Sequence, residues 1–543
     1  MSSTIAVREK SDADASQRFA GAILDTIEVL PDGGIHLHQF KKPRGVSAPQ
    51  PRRSTPQWHE AAMSKIRKIF GKIDEDAEQQ KPAFITAVVP AHNEERDIAK
   101  TLASLVLQSR PVDRIVVVVN GSTDKTAEIV RMFVDNFPDM VTCVENPTYT
   151  GRGGQQREVR SKVAALNYAW QIYVTAKPMQ QDTEEYILGL DADVILATDV
   201  VEQLEKTLDD DADDQKIGGV RATYGFVTPE KASMRIRSLV AGQQLDFASS
   251  ELKDQLRHDN RVTILGGQAT LFRRSALETV SQSNKGKGPW NTDSLVEDAY
   301  LTRQLEAYGY HGTVNQRAHV TVGAMFTPHA WWSQRRKWQN GHIIDVASEK
   351  HFALDRVRWG QQFSLGFNWL LRVLFVMLLV VSVAAHAYVF NWLWLVPLGL
   401  ASLQGTLTAS RMTNRSGWLI LRAATYVLPE IYVWKTLAVW LASLKKAFLA
   451  FVNTGRIDQS DWIRQAKAES SAKVGSWAMW LTIVCSALIP TGVAMAIGFA
   501  FPTAVDPMLR YGWIMLAVMS IISSAFMTIK IIRIVKNYRH LAL

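Results

Sequence analysis

The sequence predicts an α/β domain built on a largely parallel sheet, followed by a helical region made to cross a membrane. Three observations carry this. From Phe84 onward, short apolar strand-like runs alternate with helical patterns, and the strands end in polar clusters. One run, Tyr186-Ile187-Leu188-Gly189-Leu190, stops abruptly at Asp191-Ala192-Asp193. After residue 360 charge thins out and long runs of Leu, Val, Ala and Trp begin.

At 543 residues the chain has room for a large domain plus a second region. Its net charge of +9 does not point to nucleic acid, because much of the Lys and Arg flanks apolar segments. That distribution suits anionic headgroups or a diphosphate better. Cys143 and Cys485 are the only cysteines, so no zinc pattern and no disulfide is expected. The first ten residues contain no apolar stretch of the kind a secretory signal needs.

Residues 1–80 divide into a polar start, a hairpin, a linker and a helix. Ile23–Leu30 and Ile35–Phe40 flank Pro31-Asp32-Gly33-Gly34 and predict two paired strands. His36 and His38 share a face of the second strand and, with no third ligand near, are read as solvent-facing. Lys41–Pro56, rich in proline and basic residues, reads as a linker. Met63, Ile66, Ile69, Phe70 and Ile73 lie at helical spacing among lysines and arginine. Such a helix lies on a membrane surface or packs on the next domain.

Residues 81–350 carry the α/β pattern. Phe84–Val89, Ile115–Val119, Val141–Glu145 and the run before Asp191 are the expected strands, and Lys162–Ala176 is an expected helix. In sheets of this kind ligands bind beyond the carboxyl ends of the strands, where the polar clusters fall. Alternation along an extended chain places Asp191 and Asp193 on one side. Two like charges there are costly unless a cation lies between them, and hard oxygen ligands suit Mg²⁺ or Mn²⁺ shared with a substrate's phosphates. A solvated turn after a strand is the plain alternative.

Several segments together resemble a family-2 glycosyltransferase of the GT-A fold. Val89-Pro-Ala-His-Asn-Glu-Glu95 resembles the family's first nucleotide loop, and Asn120-Gly-Ser-Thr-Asp-Lys-Thr126 its second. Ser161-Lys-Val-Ala-Ala-Leu-Asn167 resembles a segment whose lysine lies near the nucleotide. Val296-Glu-Asp-Ala-Tyr-Leu301 resembles the segment holding the general base, and Gln334-Arg-Arg-Lys-Trp338 the Gln-x-x-Arg-Trp signature of membrane-embedded cellulose, hyaluronan, chitin and poly-N-acetylglucosamine synthases. Two departures stand out. Asn120 replaces the usual nucleoside-contacting carboxylate, and Lys337 replaces the signature arginine, losing its planar fork.

The resemblance implies an inverting transferase with Asp298 as base, Glu297 beside it, and Asp191 and Asp193 on Mg²⁺ or Mn²⁺. It implies donor contacts at Pro90, Glu94, Asn120, Asp124, Lys162 and Asp191. Gly267, Gln268, Gln334, Arg335, Arg336, Lys337 and Trp338 fall to the acceptor and diphosphate. Trp331, Trp332 and Trp338 suit a membrane interface, and Trp338 also suits stacking on a sugar. For Glu297 and Asp298 the alternative is a helix start complementing its dipole.

Residues 351–543 form the expected membrane region. Val373–Phe390, Trp392–Ala409, Val474–Phe501 and Gly512–Ile529 read as four spans. Lys and Arg clusters at 411–415, 445–473 and 530–539 share one side only if 417–444 crosses an even number of times. An in-plane, re-entrant or hairpin segment is therefore expected there. Glu430 within it is either functional or paired with Arg422 or Lys435.

The expected partners are a nucleotide-sugar donor, a UDP-sugar by the resemblance, a glycan or lipid acceptor, membrane lipids and an export protein, without nucleic acid. The expected location is the inner or plasma membrane, multi-pass, with the catalytic domain cytoplasmic. A processive polysaccharide synthase, a single-transfer enzyme acting on lipid or protein, and a catalytically silent membrane scaffold are the readings the sequence leaves to compare.

Overall fold

The computed structural model describes residues 27–29, 35–37 and 83–541, apart from 151–155, 159–160, 177–183, 212–213, 227–231, 258–259, 293, 349–355, 388–391, 393–394, 413–414 and 453–476. The linker at 41–56, the helix expected around 63–73 and His38 lie outside the described residues. Two compact units divide the chain. The first comprises Met1–Phe84 and Met179–Glu184, the second Ile85–Pro178 and Glu185–Leu543. Within the first unit, β1 (Ile27–Val29) pairs antiparallel with β2 (Ile35–Leu37), placing Glu28 opposite His36. The expected hairpin is present, with shorter strands.

The second unit holds the α/β domain. Its strands are β3 (Phe84–Ala91), β4 (Arg114–Val119), β5 (Val141–Glu145), the β6–β7 pair (Thr148–Thr150, Gln156–Glu158), β8 (Glu185–Leu190), β9 (Ile195–Leu196), β10 (Ile217–Phe226), β11 (Gln268–Arg273) and β12 (His311–Val322). Eight of them form one sheet in the order β5-β4-β3-β8-β11-β10-β12-β9. β3, β4 and β5 are parallel, as are β10 and β12. Continuous β-branched runs such as Ile115-Val-Val-Val-Val119 fit strands covered on both faces, and all five residues are buried.

Two strands run against the rest. β11 is antiparallel to both β8 and β10, and β9 is antiparallel to β12. The sheet is thus mixed, and the reversal has a local consequence. Because β11 starts where β8 ends, Gln268 lies opposite Leu190, and the loop before Gln268 comes to the tip carrying Asp191.

Helices fill the connections: α1 (Ile98–Val106), α2 (Thr126–Asn136), α3 (Lys162–Ala169), α4 (Val200–Asp209), α5 (Met234–Gln255), α6 (Arg274–Ser283) and α7 (Glu297–Ala307). α3 is capped by Ser161, whose hydroxyl accepts from Ala164 N at 3.1 Å, and it continues into one π-helical turn, Trp170–Val174. Val163, Leu166, Trp170, Ile187, Leu265, Phe272, Leu277, Trp290 and Leu301 pack into a single buried cluster below the strand ends. Burial of each large side chain there contributes on the order of 1.5–3 kcal/mol.

The remaining helices are α8 (Pro328–Ser348), α9 (Arg356–Ala384), α10 (Leu395–Arg411), α11 (Gly417–Ala424), α12 (Val427–Val452), α13 (Trp477–Ala500) and α14 (Val505–Lys536). Among the described residues, Arg358–Ala384, Met479–Ala500 and Val505–Lys536 are long and apolar enough to cross a membrane. A fourth span is counted if Gly417–Ala424 and Pro429–Leu444, bent by 74° at their junction, act as one. The second expected span is a 17-residue helix, α10, which is not among the three. The helical course breaks at Thr425 and Tyr426, within the segment expected to lie in-plane, re-enter or form a hairpin.

Two expectations about side chains change here. Glu430 pairs with neither Arg422 nor Lys435. It takes a bidentate bond from Arg372 of α9, at 2.6 and 2.8 Å. Arg422 instead donates to the carbonyl and hydroxyl of Ser238 on α5, and Lys435 lies over the Trp480 ring. Trp331 and Trp332 are not at an open interface. They are buried against Leu239, Tyr432, Val439 and Met479, and Trp331 Nε1 donates to Tyr432 Oη at 3.0 Å. Tertiary packing of α8 between α5 and α12 covers these rings, so they act as core.

Candidate active site

The site lies where β3 and β8 end and β11, α3 and α7 begin. Pro90, Lys162, Leu166, Gly189, Leu190, Asp191, Leu265, Gly266, Gly267, Phe272, Trp290, Glu297 and Asp298 line one cavity. Its centre is Lys162. As the first residue of α3, its ammonium lies 2.6 Å from Asp191 Oδ1 and 3.1 Å from Glu297 Oε1. Burial works against charge on this lysine, but Asp191, Glu297 and Asp298 outweigh it and raise its pKa. Lys162 therefore stays an ammonium and joins the strand-end acids to the helix-start acids.

Those acids respond differently. Burial, the neighbouring charge of Asp191 and that of Asp97 push Asp193 up to about 7. Burial and the adjacent Glu297 push Asp298 up to about 6. Burial acts against ionised Glu297 as well, yet Lys162 and Lys337 prevail and hold it below the usual carboxylate range. Asp298 Oδ1 accepts from Ala299 N at 2.7 Å, and its carbonyl accepts from the Thr302 hydroxyl. Thr302 Oγ1 also accepts from Leu265 N at 2.8 Å, tying the start of α7 to the 265–268 loop.

Glycine is required in that loop. Asp191 N donates to Gly267 O at 2.8 Å, so the two backbones touch. A Cβ on Gly267 would lie 2.7 and 2.8 Å from the Asp191 carboxylate oxygens and 2.8 Å from Lys162 Nζ. Gln268 begins β11 beside it, its side-chain oxygen folded toward Gly266.

The expected donor residues separate into two groups. Pro90, Lys162 and Asp191 line the cavity. Asn120 is buried at the end of β4, where its amide donates to Ser161 O at 3.2 Å, one residue before Lys162. Glu94 and Asp124 hold two loops together: Glu94 N donates to Thr126 Oγ1, while Asp124 accepts from Thr126 N at 3.0 Å and from Glu95 N at 3.1 Å. These bonds outweigh burial and keep the Asp124 carboxyl below its ordinary range.

The signature residues occupy α8. Lys337 is buried and close enough to Glu297 to lower its pKa. Arg335 turns the other way, 3.3 Å from Asp246 and 4.7 Å from the ring centroids of both Phe247 and Trp338. Trp338 packs edge-on against Phe247. Gln334 and Arg336 are half-buried on the same helix.

The residue types fit a divalent ion shared with a ligand. Asp191 and Asp193 offer hard oxygen ligands, and Asp193 is raised by burial first and by the charge of Asp191 second. Among the described residues no group of three His, Cys, Asp or Glu side chains gathers, so phosphate or water oxygens would complete the shell.

Sequence patterns alone did not single out Trp290 or the role of Asn167. Asn167 exchanges two bonds with the Trp290 backbone, at 2.7 and 3.2 Å, and so fixes that ring at the cavity wall. Its place beside Lys162 in a quoted motif was the available signal; its partner lies 123 residues away.

Residues 82–341, just under half of the chain, match the family described as glycosyltransferase like family 2. Poly-beta-1,6-N-acetyl-D-glucosamine synthase of Staphylococcus epidermidis is 26% identical over 273 residues, which is 49% of this chain and 57% of that protein. The synthase of the same name from Staphylococcus aureus strain COL is 25% identical over 301 residues, 54% of this chain and 62% of the relative. The match thus spans somewhat over half the length of these curated relatives. Among solved structures, mannosyltransferase PcManGT from Pyrobaculum calidifontis, in complex with GDP-Man and Mn²⁺, is similar at 17% identity and a TM-score of 0.35, covering 80% of this chain and 94% of its own.

Proposed function

We propose that this chain, with its family-2 domain at 82–341, is a membrane-bound inverting glycosyltransferase that extends a β-linked polysaccharide from a UDP-sugar. One observation carries the reading. Lys162 spans Asp191 and Glu297, so the strand-end acid Asp191 and the helix-start pair Glu297 and Asp298 line one cavity. The curated relatives named as polysaccharide synthases and the three span-length apolar helices support the acceptor and the membrane setting.

In this reading Asp191 and Asp193 would hold Mg²⁺ or Mn²⁺, which when bound offsets the charge gathering on the leaving diphosphate. Lys162, fixed at the start of α3, adds a second positive charge on the same side. The acceptor hydroxyl oxygen bonds to the anomeric carbon as the carbon–oxygen bond to the diphosphate breaks, and the diphosphate keeps that electron pair. Asp298 takes the hydroxyl proton. A single displacement of this kind inverts the anomeric centre. Glu297, held ionised between Lys162 and Lys337, keeps Asp298 raised and therefore basic enough to accept. Pro90 and Asn120 border the nucleoside end, and Gly267, Gln268 and the α8 signature border the acceptor. Residues 1–360 then lie on the cytoplasmic side with the basic clusters.

The test is UDP release by detergent-purified protein across a panel of UDP-sugars with Mg²⁺ or Mn²⁺, followed by product sizing. Release with one donor and a ladder of lengthening products is expected, and Asp298→Asn should silence it. Release with a single added sugar moves the reading to one transfer onto lipid or protein, which Lys337 in place of arginine favours. Release from no donor at all removes the transferase reading for this protein.

A further inference from the structure

The helix bearing the signature does more than carry Lys337. Lys337, Gly341 and Asp345 stand at i, i+4 and i+8, on one face of α8. That face meets α7 and the loop before it at three places. Lys337 lies beside Glu297. Gly341 packs so tightly on the preceding loop that a Cβ would lie 2.8 Å from Val296 Cγ2 and 3.2 Å from Leu295 Cβ. Asp345, 2% exposed, accepts from the Ser294 hydroxyl at 2.8 Å and from Arg303 Nη2 at 2.6 Å, both on Oδ2.

The two Asp345 bonds act on either side of Asp298. Ser294 Oγ also accepts from Val296 N at 3.1 Å, so one bond controls the backbone that enters α7. Arg303 lies on α7 itself, beyond Asp298, so the other controls the rotation of the helix. Arg303 is 1% exposed, which makes its pairing with Asp345 a fixed contact between two buried side chains.

We propose that Asp345, acting through Ser294 and Arg303, is a positioning residue that sets the angle at which α7 presents Asp298 to the cavity. The role rests on Asp298 being the base. Asp345 touches none of the reacting groups. It fixes the entry and the rotation of the helix whose first turn holds Glu297 and Asp298, while Gly341 prevents α8 from sliding along that loop. A displacement of about 1 Å at such a site lowers rate by as much as ~100-fold, without a matching change in donor affinity.

The experiment uses the full-length protein in detergent and four variants: Ser294→Ala, Ser294→Thr, Asp345→Asn and Asp298→Asn. Initial rates of UDP release give kcat and donor KM, and UDP binding gives an independent check that each variant is folded. Ser294→Ala breaks the hydroxyl relay and leaves the Arg303–Asp345 pair in place. It should lower kcat about tenfold or more with donor KM and UDP affinity within about twofold of wild type, the misplacement expected of a lost positioning bond. Ser294→Thr, which keeps the hydroxyl, should restore most of that rate. Asp345→Asn should lower kcat further at the same KM. Wild-type kcat in Ser294→Ala, or kcat and UDP affinity lost together in Ser294→Ala and Asp345→Asn, would overturn the positioning role. Normal turnover in Asp298→Asn would instead remove the base assignment on which it rests.

Discussion

Two pairs of carboxylates are joined through Lys162, which bonds Asp191 of one and Glu297 of the other, and they reach their charge states by different routes. Asp191 and Asp193 stand at the end of a strand, where the acids alternate along the chain and the backbone offers no helix start to stabilise them. Glu297 and Asp298 open α7, where the first-turn amides and helix dipole favour negative charge. In both pairs one member has Lys162 and the other is pushed up, Asp193 to about 7 and Asp298 to about 6. A single lysine thus cannot neutralise four acids. The strand-end pair is left with Asp193 raised by burial and by Asp191, whereas the helix-start pair is steadied by Lys337 and left with one carboxyl suited to receive a proton.

This contrast can be broken in graded steps. Chelating divalent ions should reduce donor turnover to background under the proposed metal assignment to the strand-end pair; full activity in chelator would end that assignment. Asp298→Asn should lower the transfer rate by about 10²–10⁴-fold while UDP binding persists, as expected for loss of a general base. A parallel loss of UDP binding would show that the two pairs do not divide the work.

Acidity offers the next test. Asp298 accepts a proton only when ionised, and its pKa is raised, so activity should be full above about 6 and decline as pH falls through that value. Well below it the rate should drop roughly tenfold per pH unit, since the ionised fraction does. A kcat profile flat down to pH 5 at saturating metal would exclude Asp298 as the titrating base. The smallest effect is expected from Gly267→Ala. Crowding Asp191 and Lys162 there should cost about 1–3 kcal/mol of fit, read as a raised donor KM with an unchanged unfolding temperature. An equal fall in unfolding temperature would make Gly267 a folding residue.

The acids at the strand end were legible in the sequence. Asp191 and Asp193 stand at the end of an apolar run, and the strand period alone puts them on one side. The order of strands and helices likewise follows from hydrophobic periodicity, which depends on residues a few positions apart. What lay beyond reach was long-range pairing. Glu430 had two near cations in sequence and chose a third, Arg372, from another helix. Trp331 and Trp332 had the composition of an interface and became core once α8 lay between α5 and α12.

The sequence by itself therefore determined the α/β class, the strand-end acids, the helix-start acids and the apolar segments, since each is encoded by spacing within one element. Only the tertiary structure decided that β11 runs backwards to lay Gly267 against Asp191, that Lys162 bridges both acidic pairs, and that Asp345 grips the loop ahead of Asp298. The physical reason is that a charge or hydrogen-bond partner is chosen by distance in space, and burial makes that choice strong. Sequence separation carries almost none of that information.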